Sequence, residues 1–278
     1  MAVKGWHVLQ VGACRHPEFM ARKGGHICPV DFPALVGLIR HETFGAMLFD
    51  TGYHRRFFAA TDPFPERLYR LMTPVQYDEA DSLEVQLRRL GLAPSDIGSV
   101  FVSHFHGDHV AGLQAFPKAR IFCARSGLER TRQGGRFTRV RQGLLSALVP
   151  DDIDQRAAFF EDMPQQPVPL GPFRSGVDLL GDGSLFAIQL AGHCPGHWGL
   201  LVRAQSGPDA FFIGDAAWSM AAIVDNIPPP AITTALLGET ATYRATLLSL
   251  NQLAKAVPDL EIIPSHCAET ARKWLGHG

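Results

Sequence analysis

One segment constrains this chain more than any other, because six consecutive residues hold four potential metal ligands: His104, His106, Asp108 and His109. The apolar run before them, Gly98–Val102, predicts a strand. The first two histidines are two positions apart in extended chain, so both point to one side where the strand ends and can share an ion. Gly107 permits a sharp turn, after which the aspartate and the third histidine open a helical segment and approach from another direction. They can serve a second ion beside the first.

Four residues do not complete a two-metal site, so other segments must supply further ligands. Three more apolar runs lead to a potential ligand: residues 185–190 lead to His193, residues 210–213 to Asp215, and residues 260–263 to His266. In α/β architectures, ligands gather at the carboxyl ends of strands. Five imidazoles and two carboxylates suit two Zn²⁺ ions best, and Fe or Mn stay open because nitrogen and oxygen ligands do not separate these ions by softness.

Composition limits the classes of protein that this chain can belong to. Its 278 residues are 46% hydrophobic and 19% charged, which excludes a disordered or coiled-coil chain. The formal net charge of -1 disfavours a general nucleic-acid binder. Five scattered cysteines and the lack of a signal peptide or a long apolar run predict a reduced, cytoplasmic protein without a membrane segment.

Strands and helices alternate along the chain, which predicts an α/β fold. Helical spacing is clearest at Leu83, Leu87 and Leu90 and between Tyr243 and Val257. We expect a single domain over residues 1–278, since no flexible linker divides it. Strands are predicted for residues 7–13, 34–40, 45–49, 98–103, 119–123, 185–191, 198–203, 210–214 and 260–263.

Two stretches interrupt this pattern and are interpreted as insertions, around residues 53–80 and 125–175. The second begins with six arginines between Arg125 and Arg141 and continues with several prolines. A lid facing the substrate and a solvated helix followed by a surface loop both fit this composition. The role of the basic cluster stays open.

The ordered set of motifs resembles the metallo-β-lactamase superfamily over nearly the whole chain. The matching motifs are H-x-H-x-D-H at 104–109, Gly-His at 192–193, Gly-Asp at 214–215 and Ser-His at 265–266. This resemblance implies a four-layer αβ/βα sandwich with two metals at one edge. It assigns the ligands as follows: His104, His106 and His193 to one metal, Asp108, His109 and His266 to the other, and Asp215 to both.

Within that superfamily, the layout is most similar to the N-acyl-homoserine lactonase branch, which implies a role in quorum quenching. The Leu48–Gly52 segment, the Gly192–His197 loop and Gly214–Ala216 support this comparison. One position departs from it. Where that branch has a tyrosine that helps to hold the substrate carbonyl, this chain has Trp218, which offers an indole N–H and no phenol. Hydrolysis of acyl-homoserine lactones is therefore left open.

Other side chains are expected to support the site rather than to bind metal. Asp50 is predicted to orient a ligand histidine or its loop, with a turn cap as the alternative. His197 is expected to support its loop, and Cys194 and Cys267 to pack as thiols. An apolar substrate pocket is predicted from three residues, with a simple core role as the alternative: Trp218, Met220 and Ile223.

The function expected from this site is hydrolysis by a hydroxide that bridges two metals and attacks a lactone, ester or thioester carbonyl. Asp108 is the expected catalytic residue, passing a proton to the leaving alkoxide. Two alternatives stay open: a mononuclear-iron oxidoreductase similar to the persulfide dioxygenases, and a metallated effector that binds without catalysis. The expected partner is a small-molecule substrate, and a homodimer stays open.

Overall fold

Two mixed β-sheets face each other in the computed structural model, which describes residues 2–275 apart from the side chains of residues 236 and 237. Their strands are β1 Val3–Pro17, β2 Pro29–His41, β3 Gly45–Phe49, β4 Val75–Gln76, β5 Ile97–Phe101, β6 Arg120–Cys123, β7 Ala157–Phe159, β8 Gln165–Leu170, β9 Phe173–Asp178, β10 Leu185–Gln189, β11 Trp198–Val202, β12 Ala210–Gly214 and β13 Glu261–Pro264.

Helices cover the outer faces of both sheets. They are α1 Arg55–Ala60, α2 Arg67–Met72, α3 Leu83–Arg89, α4 Gly107–Val110, α5 Arg125–Arg132, α6 Arg136–Arg141, α7 Ile153–Arg156, α8 Met220–Asp225, α9 Ala231–Leu237, α10 Thr240–Ala256 and α11 Ala268–Trp274. Among the described residues, no helix combines the length and the apolar character that crossing a bilayer requires.

The first sheet has the strand order β4-β1-β2-β3-β5-β6-β7, and the second has the order β13-β12-β11-β10-β9-β8. The core lies in three layers, one between the sheets and one under the helices of each outer face. Leu83 and Leu87 bury one side of α3 against the first sheet, and Leu247 and Leu250 bury one side of α10 against the second. This arrangement confirms the expected αβ/βα sandwich.

Aromatic packing between the sheets fixes the strands whose ends carry the site. Phe49 of β3 pairs in register with Phe101 of the parallel strand β5, and their rings stack 5.3 Å apart. Phe49 also contacts Phe212 of β12 in the opposite sheet, with 5.3 Å between ring centroids. Such pairs contribute about 0.5–1.5 kcal/mol beyond the burial of their area. The carboxyl ends of these three strands are therefore held at one edge of the sandwich.

The nine predicted strands are all present, but the stretch from Arg125 to Pro172 is more regular than expected. It contributes α5, α6 and α7, the edge strand β7 of the first sheet and the edge strand β8 of the second, which pairs with β9. Half of the arginines between Arg125 and Arg141 connect neighbouring segments of the chain. Three of the six bond to carboxylates: Arg125 to Asp162, Arg132 to Asp154 and Arg136 to Glu66.

Candidate metal centre

Seven buried side chains meet at the edge where the carboxyl ends of the strands lie. They follow β5, β10, β12 and β13, and they are His104, His106, Asp108, His109, His193, Asp215 and His266. Each strand is mostly apolar, and the residues of the centre lie in the segment that follows it. At the end of β12, Gly214 has a φ of 54°, which favours glycine and directs Asp215 inward.

Three histidines form the first half of the centre. His104 Nε2 lies 3.0 Å from His106 Nδ1, and His193 Nε2 lies 3.1 Å from that same atom. These three ring nitrogens cannot all be joined by hydrogen bonds, because a neutral imidazole carries only one N–H. Their arrangement is that of ligands around a cation.

Asp108, His109 and His266 form the second half. His266 Nε2 lies 3.2 Å from Asp108 Oδ2, and His109 Nε2 lies 3.6 Å from the same oxygen. The one-turn helix α4 carries Asp108 and His109, and β13 delivers His266 through Ser265. The donors of this half are one carboxylate and two imidazoles, which suit Zn²⁺, Fe or Mn.

Asp215 connects the two halves through its two carboxylate oxygens. Its Oδ2 lies 3.3 Å from His193 Nε2 and 3.9 Å from His104 Nε2. Its Oδ1 lies 3.3 Å from His109 Nε2 and 3.2 Å from His266 Nε2. One carboxylate thus presents one oxygen to each half, as a residue shared between two cations would.

Unsatisfied polar atoms test whether these residues fit a metal. His109 Nε2 and Asp215 Oδ1 are both buried and have no hydrogen-bond partner, although they face each other. Buried polar atoms are rarely left without a partner, because each costs about 1–3 kcal/mol. Cations bound between the two halves would satisfy both atoms. The donor set and its geometry therefore fit metal ligation.

Electrostatics separate the imidazoles into two groups. Burial lowers the pKa of His104 and of His193 well below the usual histidine value, so both are neutral. Burial also acts to lower the pKa of His266, but the charges of Asp215 and Asp108 outweigh it and hold that pKa well above the usual value. The second half therefore contains the stronger attraction for positive charge.

Asp50 follows β3 and orients two histidines of the candidate centre. It has a φ of 61°, which is uncommon for a residue other than glycine and is often found at functional sites. Its Oδ2 lies 2.7 Å from His109 Nδ1 and accepts the Ser103 hydroxyl at 2.7 Å. Because that hydroxyl proton goes to Asp50, Ser103 Oγ accepts from His104 Nδ1 at 2.9 Å. The other ring nitrogen of each histidine then faces the centre.

Ser103 and Thr51 contribute in ways that the sequence pattern did not single out. Ser103 connects Asp50 to His104, as described above. The Thr51 hydroxyl donates to the backbone carbonyl of His109 at 2.9 Å and accepts from the Gly112 N–H at 3.1 Å. Both residues lie next to segments that the sequence pattern does identify. Their hydroxyl groups are the sequence feature that could have pointed to these roles.

His197 lies next to the centre but bonds only to backbone atoms. Its Nδ1 donates to the Leu190 carbonyl at 3.1 Å, and its Nε2 accepts the Asp215 N–H at 3.0 Å. Both ring nitrogens are therefore occupied. His197 holds the backbone of the shared aspartate in place, and neither of its nitrogens is free for a cation.

Of the three predicted pocket residues, only Trp218 lies against the centre. Its ring is 4.8 Å from that of His266 and 5.3 Å from that of Phe32. Met220 begins α8 and packs against the outer core of the second sheet. Ile223 was expected at the pocket, but it is 0% exposed within that same core. Ile223 therefore has the core role given above as the alternative, because α8 turns this side chain toward the sheet.

The two cysteines beside the ligands differ in position. Cys194 Sγ lies within 4.8 Å of ligand atoms of His104, His106 and His193. Burial raises the pKa of Cys194 well above the usual thiol value, which disfavours the thiolate that a metal would bind. Cys267 Sγ instead accepts the Met220 N–H at 3.4 Å and the Thr270 N–H at 3.5 Å, so it caps α11.

Comparison with known proteins gives one family and, among the relatives, several N-acyl homoserine lactonases. The model of the metallo-β-lactamase superfamily matches residues 29–266. The N-acyl homoserine lactonase AiiB of Agrobacterium fabrum is 28% identical over 233 residues, which cover 82% of this chain and 77% of that protein. AiiB of Rhizobium rhizogenes is 27% identical with the same coverage.

Solved structures share the fold at lower identity. An N-acyl homoserine lactone hydrolase with N-hexanoyl-L-homoserine at its catalytic metal centre superposes with a TM-score of 0.75 and 18% identity, covering 98% of this chain and 97% of that one. The dizinc quorum-quenching lactonase AidC gives a TM-score of 0.60 and 16% identity, covering 96% of this chain and 86% of that one.

Proposed function

Since the chain belongs to the metallo-β-lactamase superfamily, we propose that this metal-dependent hydrolase uses two divalent cations to open a lactone ring or to cleave a related ester or thioester. The position of Asp215 carries the proposal, because its two oxygens face different halves of the centre. The similarity to proteins named N-acyl homoserine lactonases supports a small acyl lactone as the substrate.

Each residue of the centre has a defined task in this proposal. His104, His106 and His193 would hold one cation, Asp108, His109 and His266 the other, and Asp215 both. Bound divalent cations supply Lewis acidity, which lowers the pKa of a coordinated water and polarises a carbonyl oxygen. Asp50 and Ser103 keep His109 and His104 in the orientation that ligation requires.

Asp108 is the proposed proton carrier. Burial alone would raise its pKa, but His109 and His266 outweigh burial and lower it to about 2, so the carboxylate is ionised. During hydrolysis, the oxygen of water bonds to the carbonyl carbon and the ring C–O bond breaks. Asp108 accepts a proton from the attacking water and returns it to the leaving alkoxide, so the product is a hydroxy acid.

Metal analysis together with a substrate panel tests this function. We expect two divalent ions per chain and turnover of acyl-homoserine lactones of varied length, other lactones or acyl thioesters. Chelation and His106→Ala should each abolish it. A fully metallated protein that hydrolyses no member of the panel would contradict the proposal.

Two other outcomes would select the alternatives. One iron per chain with oxygen uptake on glutathione persulfide would indicate the oxidoreductase, and tight ligand binding without turnover under any metal loading would indicate an effector. Trp218→Tyr, assayed beside the wild type on the same lactones, determines whether a phenol at this position extends the substrate range. Analytical ultracentrifugation of the same preparation distinguishes a monomer from the homodimer.

A further inference from the structure

The centre is more open on the side of Asp108 than on the side of the sheets. Asp108 is 8% exposed, whereas His104, at the end of β5, is 0% exposed. Gly107, between His106 and Asp108, is itself buried, so the side chains packed on its turn cover the centre on this side. The residues packed on this turn determine what a substrate meets there.

Tyr69 of α2 packs on that turn. A Cβ atom added to Gly107 would lie 3.1 Å from Tyr69 Cε1 and 3.1 Å from Phe57 Cε2, which is closer than ordinary packing allows. The absence of a side chain at Gly107 therefore lets the phenol ring approach the backbone beside the ligands. The Tyr69 ring also packs edge-to-face with Phe57, with 5.5 Å between the two ring centroids, and this contact fixes the direction of the Tyr69 ring.

The hydroxyl of Tyr69 lies beside the Gly107 backbone N–H, between His106 and Asp108. Burial raises the pKa of Tyr69 well above the usual phenol value, and the negative charges of Asp108 and Asp215 raise it further. A phenol with this pKa stays protonated at neutral pH, so it is a hydrogen-bond donor.

Other hydroxyl groups near the centre are less suited to reach a substrate. Tyr53 is 1% exposed, and its hydroxyl is sealed from solvent without a hydrogen-bond partner. Ser103 and Thr51 are both 0% exposed and already bond to Asp50 and to the His109 carbonyl. Tyr69 is half-buried rather than sealed, and its ring lies on the turn between His106 and Asp108.

We propose that Tyr69 is a catalytic residue whose hydroxyl donates a hydrogen bond to the substrate oxygen that becomes negatively charged when the carbonyl is attacked. This inference rests on the proposed hydrolysis. The phenol keeps its proton throughout, and Asp108 still carries the proton to the leaving alkoxide. A donor already aimed at developing charge stabilises the transition state more than the ground state.

Tyr69→Phe tests the inference because it keeps the ring and removes only the hydroxyl. We expect kcat to fall about 100-fold, the usual effect of losing one such donor, while KM changes little. Bound metal per chain and the melting temperature should match the wild type. Tyr77→Phe is the matched control, since its hydroxyl is on the surface and donates to Glu79 at 3.2 Å. We expect its kcat to equal that of the wild type.

A second variant moves the hydroxyl instead of removing it. Gly107→Ala should push the ring away from the centre and lower kcat to a similar extent. In the double variant Tyr69→Phe/Gly107→Ala, the two losses should not add, because both act on one hydrogen bond. Additive losses would mean that Gly107→Ala acts on the ligands instead. The kcat of Tyr69→Phe alone would then decide whether the Tyr69 hydroxyl takes part in catalysis.

Binding of the ring-opened product gives a readout that does not depend on turnover. Calorimetry should show a dissociation constant for the hydroxy acid that differs less than tenfold between Tyr69→Phe and the wild type, because the hydrogen bond strengthens in the transition state. A kcat within twofold of the wild type, or an effect confined to KM, would overturn the role of Tyr69. Inactivity of the metallated wild type would overturn the proposed function instead.

Discussion

Asp50 Oδ2 lies 2.7 Å from His109 Nδ1, and both residues are almost fully buried. The same carboxylate accepts the Ser103 backbone N–H at 2.8 Å and the Ser103 hydroxyl at 2.7 Å. One residue at the end of β3 therefore connects to both halves of the metal centre, directly through His109 and through Ser103 to His104.

Replacing this carboxylate should weaken metal binding. Asp50→Asn keeps the shape of the side chain but removes the charge that favours the His109 tautomer with its free nitrogen toward the centre. Loss of such an outer partner usually costs about 10–100-fold in metal affinity or activity. Competition with a chromogenic chelator measures the change, and Zn²⁺ affinity equal to that of the wild type would contradict the prediction.

The chain offers a matched control for this variant. His41 Nε2 lies 3.0 Å from Asp182 Oδ2, and Ser184 also bonds to that carboxylate, but the cluster lies at the opposite end of β2 and β3. Asp182→Asn should lower the melting temperature without changing Zn²⁺ affinity. Equal loss of affinity in both variants would show that Asp50 acts only through general stability.

The residues of the candidate centre could be predicted from sequence because they lie in segments that follow apolar strands. Strand direction and side-chain alternation are local properties, so a histidine or an aspartate after such a run can be placed at a sheet edge without any further contact. His193, Asp215 and His266 were proposed in this way, and the structure brings them together. The same reasoning placed Asp50 near the site.

Other features depend on contacts that no local pattern reveals. Tyr69 reaches Gly107 from a different segment, and the only signal was a glycine between two ligands. The edge strand β8 was missed because Pro167 and Pro169 disfavour a strand, although an edge strand tolerates residues without an N–H. Ile223 follows the Asp215 turn, but the direction in which α8 faces is set by its packing.

Removal of the metal should destabilise the fold. A cation that binds only the folded chain adds about 4 kcal/mol of stability at a thousandfold excess over its dissociation constant. We expect a chelator to lower the melting temperature and Zn²⁺ to restore it. His106→Ala should show a reduced response, whereas His26→Ala, whose side chain is 87% exposed, should respond as the wild type does. A melting temperature that stays constant while the metal is lost would contradict this.

Gly192 should tolerate no side chain. Its φ is 123°, and a Cβ atom there would lie 2.3 Å from the Tyr243 backbone nitrogen in α10. Gly192→Ala must therefore displace the loop that carries His193, and we expect a lower melting temperature together with loss of bound metal.

Gly207→Ala separates this clash from backbone strain. Gly207 has a φ of 86° with open space around it, so an added Cβ meets no other atom. The variant should lose only the stability that the left-handed conformation costs a residue with a side chain, about 1–2 kcal/mol. Its metal content should equal that of the wild type. Full metal content in Gly192→Ala would show that the loop can move without releasing His193.

The ion pair between α6 and α2 should contribute stability that depends on pH. Arg136 Nε donates to Glu66 Oε1 at 2.9 Å, and this hydrogen bond is the main reason that the pKa of Glu66 is lowered. A carboxylate with a lowered pKa in the folded state stabilises the protein above its unfolded pKa, about 4.3, and that contribution is lost as the pH falls through the folded value.

Arg136→Gln should therefore unfold at lower urea concentration than the wild type at pH 7. The difference should shrink as the pH falls below about 4. Arg141→Gln, on the same helix and exposed, should show a smaller difference at both pH values. A difference for Arg136→Gln that is constant with pH would mean that its bond to the Phe64 carbonyl, rather than Glu66, holds α6 against α2.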